Sequence, residues 1–146
     1  MVLETLEDTR ALAQALAKGC FGGLALLLEG GMGAGKTTLT VELAKALGYE
    51  GAKSPTFAIV HHYETHPFAL VHADLYRLEE ARGREFGFEE ELEEGAVLVV
   101  EWPERLIDFH WHEVLTLHLT ADPRAVTFTA QGPKATALKE ALEALR

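Results

Sequence analysis

"LLLEGGMGAGKTTLTVELAKAL", residues 26–47, decides the fold. It completes the apolar run "GLALLLE", 23–29, which is short and continuous, as expected of a strand buried on both faces of a parallel sheet. Gly30 to Thr37 then reads G-G-M-G-A-G-K-T, which satisfies G-x-x-x-x-G-K-[ST]. "TTLTVELAKALG" follows as a helix, with Leu39, Leu43 and Leu47 on one side and Gly48 at its end. The order strand, Gly-rich loop, helix is the context that gives the motif its meaning. Glycines let the backbone turn its N–H groups inward around a polyphosphate, and the helix directs its positive end at the same point. Gly31, Gly33, Ala34, Gly35, Lys36, Thr37 and Thr38 are therefore the expected nucleotide-binding set. Lys36 would bridge the β- and γ-phosphates, and the Thr37 hydroxyl would bind Mg²⁺.

The rest of the chain supplies the frame. Residues 5–18 form a helix with Leu6, Ala13 and Leu16 at helical spacing, Thr5 or Asp8 at its cap, and Gly19 at its end. "SPTFAIVHHYE", 54–64, and "PFALVHADLYRLE", 67–79, lie two residues apart and read as an antiparallel hairpin. A short helix is expected over 88–94. "AVLVVE", 96–101, is a second fully apolar strand. "EVLTLHLT" and "AVTFTAQG" alternate and form a second hairpin across "ADPR", and "PKATALKEALEALR" is a C-terminal helix with Pro133 near its start. The expectation is one P-loop ATPase domain over residues 1–146. It is an α/β, P-loop NTPase-like, three-layer domain with a mixed central sheet, and strands 23–29 and 96–101 are its parallel centre.

Composition narrows the partners. With 146 residues the chain buries roughly 68 to 70% of its extended surface. A net charge of −10 has the wrong sign for gripping a nucleic-acid backbone unaided, so any such role is indirect. The acidic opening "MVLETLEDTR" and apolar runs of only about eight residues, far short of a bilayer span, read as a cytoplasmic, unanchored protein. Cys20, the only cysteine, permits no internal disulfide and no cysteine metal cluster, and reads as core filler.

Two carboxylates complement the loop. Glu101 closes "AVLVVE", where a neighbouring strand of a P-loop protein ends in the acid that holds the metal. Asp74 in "HADLYR" interrupts a strand-like run where that run should emerge near the nucleotide, and is placed to orient water or assist the metal. Thr56, after Pro55, holds a hydroxyl that would sense the γ-phosphate as switch loops do. Trp102 covers the site or simply packs. His72 shares a strand face with Asp74 and reads as a local hydrogen-bonding residue. The other histidines show no third ligand for a transition metal.

Three classes compete. A GTPase needs a guanine-reading N-K-x-D element, which a chain without Asn lacks, and no D-x-x-G is present. A small-molecule kinase would use Arg77, Arg82 and Arg84 as a lid, although the chain leaves little room for an acceptor pocket. An ATPase acting on a partner protein fits best, and a nucleotide-binding regulator with negligible hydrolysis stays open beside it.

The order "GGMGAGKTT", "SPTF", "HADLYRLE", "EWPER" resembles the TsaE (YjeE) family of bacterial tRNA threonylcarbamoyladenosine synthesis. The resemblance runs from "LEDTRALAQALA" past "EWPERL". It implies a small ATPase that binds ATP and Mg²⁺ and serves the TsaB–TsaD heterodimer without itself modifying tRNA. By motif it gives Lys36 and Thr37 the phosphate and Mg²⁺ roles, Glu101 the metal role, Asp74 the hydrolytic role and Thr56 a switch-like role. Where relatives commonly read G-D-L-G, this chain has Gly31 and Met32. No motif matches in the C-terminal third. For the adenine, Arg124 in "TADPR" is a candidate if the preceding strand runs parallel to the P-loop strand, and the segment Thr5 to Thr9 is another.

Overall fold

The computed structural model describes residues 1–49 and 59–145. Thr56, with the rest of "SPTF", lies outside them.

The first helix, α1 (Leu6–Gly19), opens on a reciprocal capping box. Thr5 Oγ1 accepts from the Asp8 N–H, and the Asp8 carboxylate accepts from the Thr5 N–H. Its buried face is Thr9, Leu12, Ala13 and Leu16. Leu6 departs from the expected stripe and is 46% exposed, because at the first helical position it points past the core towards the P-loop.

β1 (Ala25–Glu29) leads through the Gly-rich loop into α2 (Lys36–Ala46). β2 (Val60–Tyr63) and β3 (Leu70–Asp74) form the expected antiparallel hairpin, with strands shorter than the apolar runs suggested. Next come β4 (Ala81–Arg82), α3 (Gly83–Phe86), α4 (Phe88–Glu93) and β5 (Val97–Glu101). A 3-10 turn (Pro103–Arg105) precedes β6 (Leu106–Ile107), which pairs with β4 in a parallel ladder that the sequence did not announce. β7 (Val114–Ala121) and β8 (Arg124–Gln131) make the second hairpin, and α5 (Pro133–Glu143) closes the chain with Pro133 in its first turn.

Among the described residues six strands form one mixed sheet in the order β2-β3-β5-β1-β7-β8. β1 and β5 are adjacent and parallel, as their unbroken apolar runs require, but the parallel part is wider than those two: β3 joins β5 in parallel and β7 joins β1. Alternation along each strand divides the core in two. Leu26, Leu28, Val97 and Val99 pack under Leu12, Leu16, Leu39, Leu43 and Leu138 of α1, α2 and α5. On the opposite face Leu27, Leu98 and Val100 pack with Phe88 of α4, flanked by Phe109 and Trp111. These are the three layers.

Parallel strands end at one edge, so this topology delivers the loop after β1, Asp74 of β3 and Glu101 of β5 to the same place. The register is close: Asp74 lies beside Glu101, and Glu101 beside Leu28. β7 reaches the same edge. The N-terminus pairs along β8, with Leu3 N–H donating to Arg124 O at 2.9 Å and Val126 N–H to Met1 O at 2.8 Å, which fixes the start of α1 next to Arg124.

Candidate nucleotide site

The loop from Gly30 to Gly35 is shaped by its neighbours. A side chain at Gly30 would place Cβ 2.6 Å from the Leu119 carbonyl of β7, so β7 can pass only over a glycine. Gly35 caps α2 with φ at 97°, in the left-handed region that glycine enters freely. The ends of α1 and α2 then differ in kind. α1 is closed by its own side chains and carries Glu7 and Asp8 in its first turn. Among the described residues α2 has no side-chain cap, and its first turn carries no acid, so its N-terminal N–H groups are suited to an external anion.

Lys36 begins α2 and is 5% exposed. Its Nζ donates to Gly30 O at 2.6 Å and lies 3.8 Å from the centroid of the Trp102 ring. Burial pushes the Lys36 ammonium below its ordinary pKa, opposed by the negative charge of Glu101, Glu104 and Asp74. Trp102 holds this position with φ at 59°, an uncommon backbone region for a bulky residue, and its ring also meets that of Tyr76. It therefore covers the lysine as well as packing.

Thr37 Oγ1 donates to Glu101 at 3.2 Å from Oε1 and 3.5 Å from Oε2. Glu101 is 2% exposed, and its second oxygen lies 2.6 Å from His72 Nε2. A hydroxyl and a buried carboxylate meeting at the foot of an anion cradle form the all-oxygen donor set that Mg²⁺ prefers. Asp74 is only partly buried and accepts from the Tyr76 N–H at 3.1 Å.

A cleft of about 380 Å³ gathers these groups. Its walls are the loop from Met32 to Thr38, with Asp74, Tyr76, Glu101, Trp102 and Arg124. Most residues expected from the sequence thus converge, and β7 meets the condition set for Arg124 by running parallel to β1. Gly31 is not among the residues that line the cleft, and its carbonyl accepts from the Ala34 N–H at 3.3 Å. A smaller hollow of about 70 Å³ continues from Gly35 and Arg124 to Leu3, Leu6 and Thr9, which explains why Leu6 is left open.

The sequence assigned no site role to Met32 or Tyr76 and read His72 only as a local hydrogen-bonding residue. Met32 is 71% exposed at the loop tip, and Tyr76 flanks Trp102. His72 reaches beyond its own strand to Glu101. The "HADLYR" motif held the only signal for the last two. Arg82 is engaged elsewhere, its Nη1 donating to Asp108 at 2.6 Å. Among the described residues no group of three His, Cys, Asp or Glu is arranged to hold a metal, and no helix is long and apolar enough to cross a membrane.

Residues 3–127 match the family model described as threonylcarbamoyl adenosine biosynthesis protein TsaE. The tRNA threonylcarbamoyladenosine biosynthesis protein TsaE of Aquifex aeolicus is 43% identical over 108 residues, covering 72% of this chain and 77% of that protein. The Bacillus subtilis protein of the same name is 36% identical over 140 residues, covering 93% of this chain and 88% of the relative. The crystal structure of YdiB from Bacillus subtilis superposes with a TM-score of 0.76 at 32% identity, over 98% of this chain and 92% of the other.

Proposed function

The chain belongs to the TsaE family of tRNA threonylcarbamoyladenosine biosynthesis, and on that premise we propose that it is a Mg²⁺-dependent ATPase that assists the TsaB–TsaD heterodimer. It works as a single domain in the cytoplasm and meets tRNA only through that partner. The observation that carries the reading is the convergence of Lys36, Thr37, Glu101 and Asp74 on one cleft at the carboxyl edge of the sheet.

Position in the fold supports the roles of the described residues. The uncapped start of α2, with Gly33, Ala34, Gly35 and Thr38, receives the phosphates through backbone N–H groups and the helix dipole. Lys36 leaves the Gly30 carbonyl and gives its charge to the β- and γ-phosphates, and Gly31 keeps the loop in shape. Thr37 and Glu101, already in contact, would hold Mg²⁺, which when bound would neutralise charge on the phosphate oxygens. Asp74, open to solvent beside Glu101, orients the water that attacks the γ-phosphorus as the bond to ADP breaks. Thr56 takes the switch-like role its motif implies. Arg124 and the segment Thr5 to Thr9, with the open Leu6, border the hollow that suits the adenine.

The negative charge of the chain suits a protein partner better than tRNA. Slow turnover alone is expected, since a catalytic arginine supplied by a partner is worth roughly 10³- to 10⁵-fold in such enzymes. Turnover should be measured alone, with TsaB–TsaD, and with a panel of small hydroxyl acceptors. Stimulation by the pair supports the proposal. Phosphorylation of an acceptor identifies a kinase instead, and tight ATP binding without turnover in any arm identifies a regulator.

A further inference from the structure

His72 sits in the middle of β3 on the face covered by α2, and is 1% exposed. Its Nε2 lies 2.6 Å from Glu101 Oε2, while its Nδ1 is buried without a partner among the described residues. His61, its cross-strand neighbour, offers no help, since the buried Nε2 of that ring is also unpartnered. A ring facing a carboxylate with one nitrogen and nothing with the other carries its proton on the first. The opposite tautomer would bury an orphaned N–H and set a bare nitrogen against an anionic oxygen, losing the charge-assisted bond.

This bond divides the work of the carboxylate. Oε2 is drawn inward by His72, and Oε1, the oxygen nearer Thr37 Oγ1, is turned towards the start of α2. Glu101 ends its strand, and from there its side chain has several rotamers to choose between. We propose that His72 is a positioning residue: its Nε2–H fixes the Glu101 rotamer so that Oε1 faces the cation site shared with Thr37. This rests on the reading of Thr37 and Glu101 as metal-holding residues. Partners that orient a ligating group in this way typically change metal affinity by roughly 10- to 100-fold.

The test compares His72→Phe, which keeps a ring without the donor, with His72→Gln, whose amide N–H can still reach Glu101. Mn²⁺ affinity of the ADP complex is read by electron paramagnetic resonance, ADP affinity is measured separately in EDTA, and the ring tautomer of His72 is read from ¹⁵N chemical shifts of the metal-free wild type. The expected results are an Nε2–H tautomer, Mn²⁺ affinity weakened roughly 10- to 100-fold in His72→Phe and largely restored in His72→Gln, and ADP binding in EDTA unchanged. An Nδ1–H tautomer, wild-type Mn²⁺ affinity in His72→Phe, no recovery in a folded His72→Gln, or equal loss of metal-free ADP binding in both variants overturns the proposal. If His72→Phe does not fold, the tautomer and a Mn²⁺ affinity in His72→Gln close to wild type decide it. A wild-type chain that binds ADP but no Mn²⁺ overturns the metal assignment of Thr37 and Glu101 itself, an outcome separate from failure of His72 alone.

Discussion

Thr37 and Glu101 are 64 residues apart in the chain, and the hydroxyl of one donates to the carboxylate of the other at 3.2 Å. The contact exists because α2 begins at the carboxyl end of β1 while β5 ends one strand away in parallel register. Removing either partner leaves a different defect. Thr37→Ala deletes one oxygen donor at the rim. Glu101→Ala deletes the buried acid and also strands His72 Nε2. Both should lose Mg²⁺-dependent ATP hydrolysis, but only Glu101→Ala should lower stability measurably, by about 1–3 kcal/mol for an orphaned buried donor. Steady-state turnover and urea unfolding of the two variants check this, and full hydrolysis by Glu101→Ala would sink the site assignment.

Lys36 is the reverse case, a residue whose loss should hurt binding far more than folding. Burial holds its pKa below the ordinary lysine value, so between the folded and unfolded pKa the unfolded chain binds more protons. Stability contributed at this site therefore rises with pH through the alkaline window that ends near 10.5 and is lowest below it. Lys36→Ala removes that cost together with the bond to Gly30 O and the contact with Trp102. The expected outcome is ATP affinity reduced at least about tenfold, a loss of roughly 1.4 kcal/mol or more, with a melting temperature at or above wild type. Calorimetric titration and thermal melts decide it, and unchanged ATP affinity would be fatal to the proposed phosphate role.

Asp74 differs from Glu101 in having solvent access, which an acid that orients water needs. Asp74→Asn keeps an oxygen to accept from the Tyr76 N–H and so should fold normally. Hydrolysis should fall by about 10²-fold or more while ATP binding stays within a few-fold, the pattern of a group acting in the transition state. Equal losses in binding and turnover would return Asp74 to a structural role in the turn after β3.

Cys20 gives a prediction independent of the site. Its thiol is buried and donates to Ala17 O at 3.4 Å, and burial pushes its pKa above 9.0. The folded chain thus keeps a proton that the unfolded chain releases, so this group's contribution is intact below pH 9.0 and is lost as pH rises further towards the folded pKa. Denaturant titrations between pH 8 and about 10 should show wild type losing more stability than Cys20→Ala. A disulfide reagent should label Cys20 in the folded chain much more slowly than in urea.

What the sequence made legible was whatever rests on local pattern. Unbroken apolar runs marked β1 and β5, alternation marked both hairpins, and the glycines with Lys36 and Thr37 marked the loop. What it withheld depends on register between distant strands. No spacing rule says that Asp74 lies beside Glu101, or that His72 is close enough to reach it. The two-residue strands β4 and β6 carry no periodicity at all and pair only because the chains after β3 and β5 run side by side, where Arg105 donates to the carbonyls of Tyr76 and Leu78. Trp102 is a similar case: its fold over Lys36 requires a left-handed backbone that nothing in "EWPER" announces.

Gly30 and Gly31 stand side by side, yet the structure demands glycine at only one of them. At Gly30 a Cβ would strike the Leu119 carbonyl, a backbone atom that cannot swing aside, so Gly30→Ala should cost about 1–3 kcal/mol through overpacking and a displaced loop. Among the described residues a Cβ at Gly31 meets nothing within 4 Å, and its φ is not among the positive ones. Gly31→Asp, which places there the residue the family resemblance leads one to expect, should therefore leave stability within about 0.5 kcal/mol of wild type. Its effect on nucleotide should be electrostatic, because a new negative charge beside the start of α2 opposes a polyphosphate, and it should weaken as salt screens it. Thermal melts of both variants, with ATP affinity at two ionic strengths for Gly31→Asp, test the pair. A Gly31→Asp chain as unstable as Gly30→Ala would show that the loop is more crowded than its backbone implies.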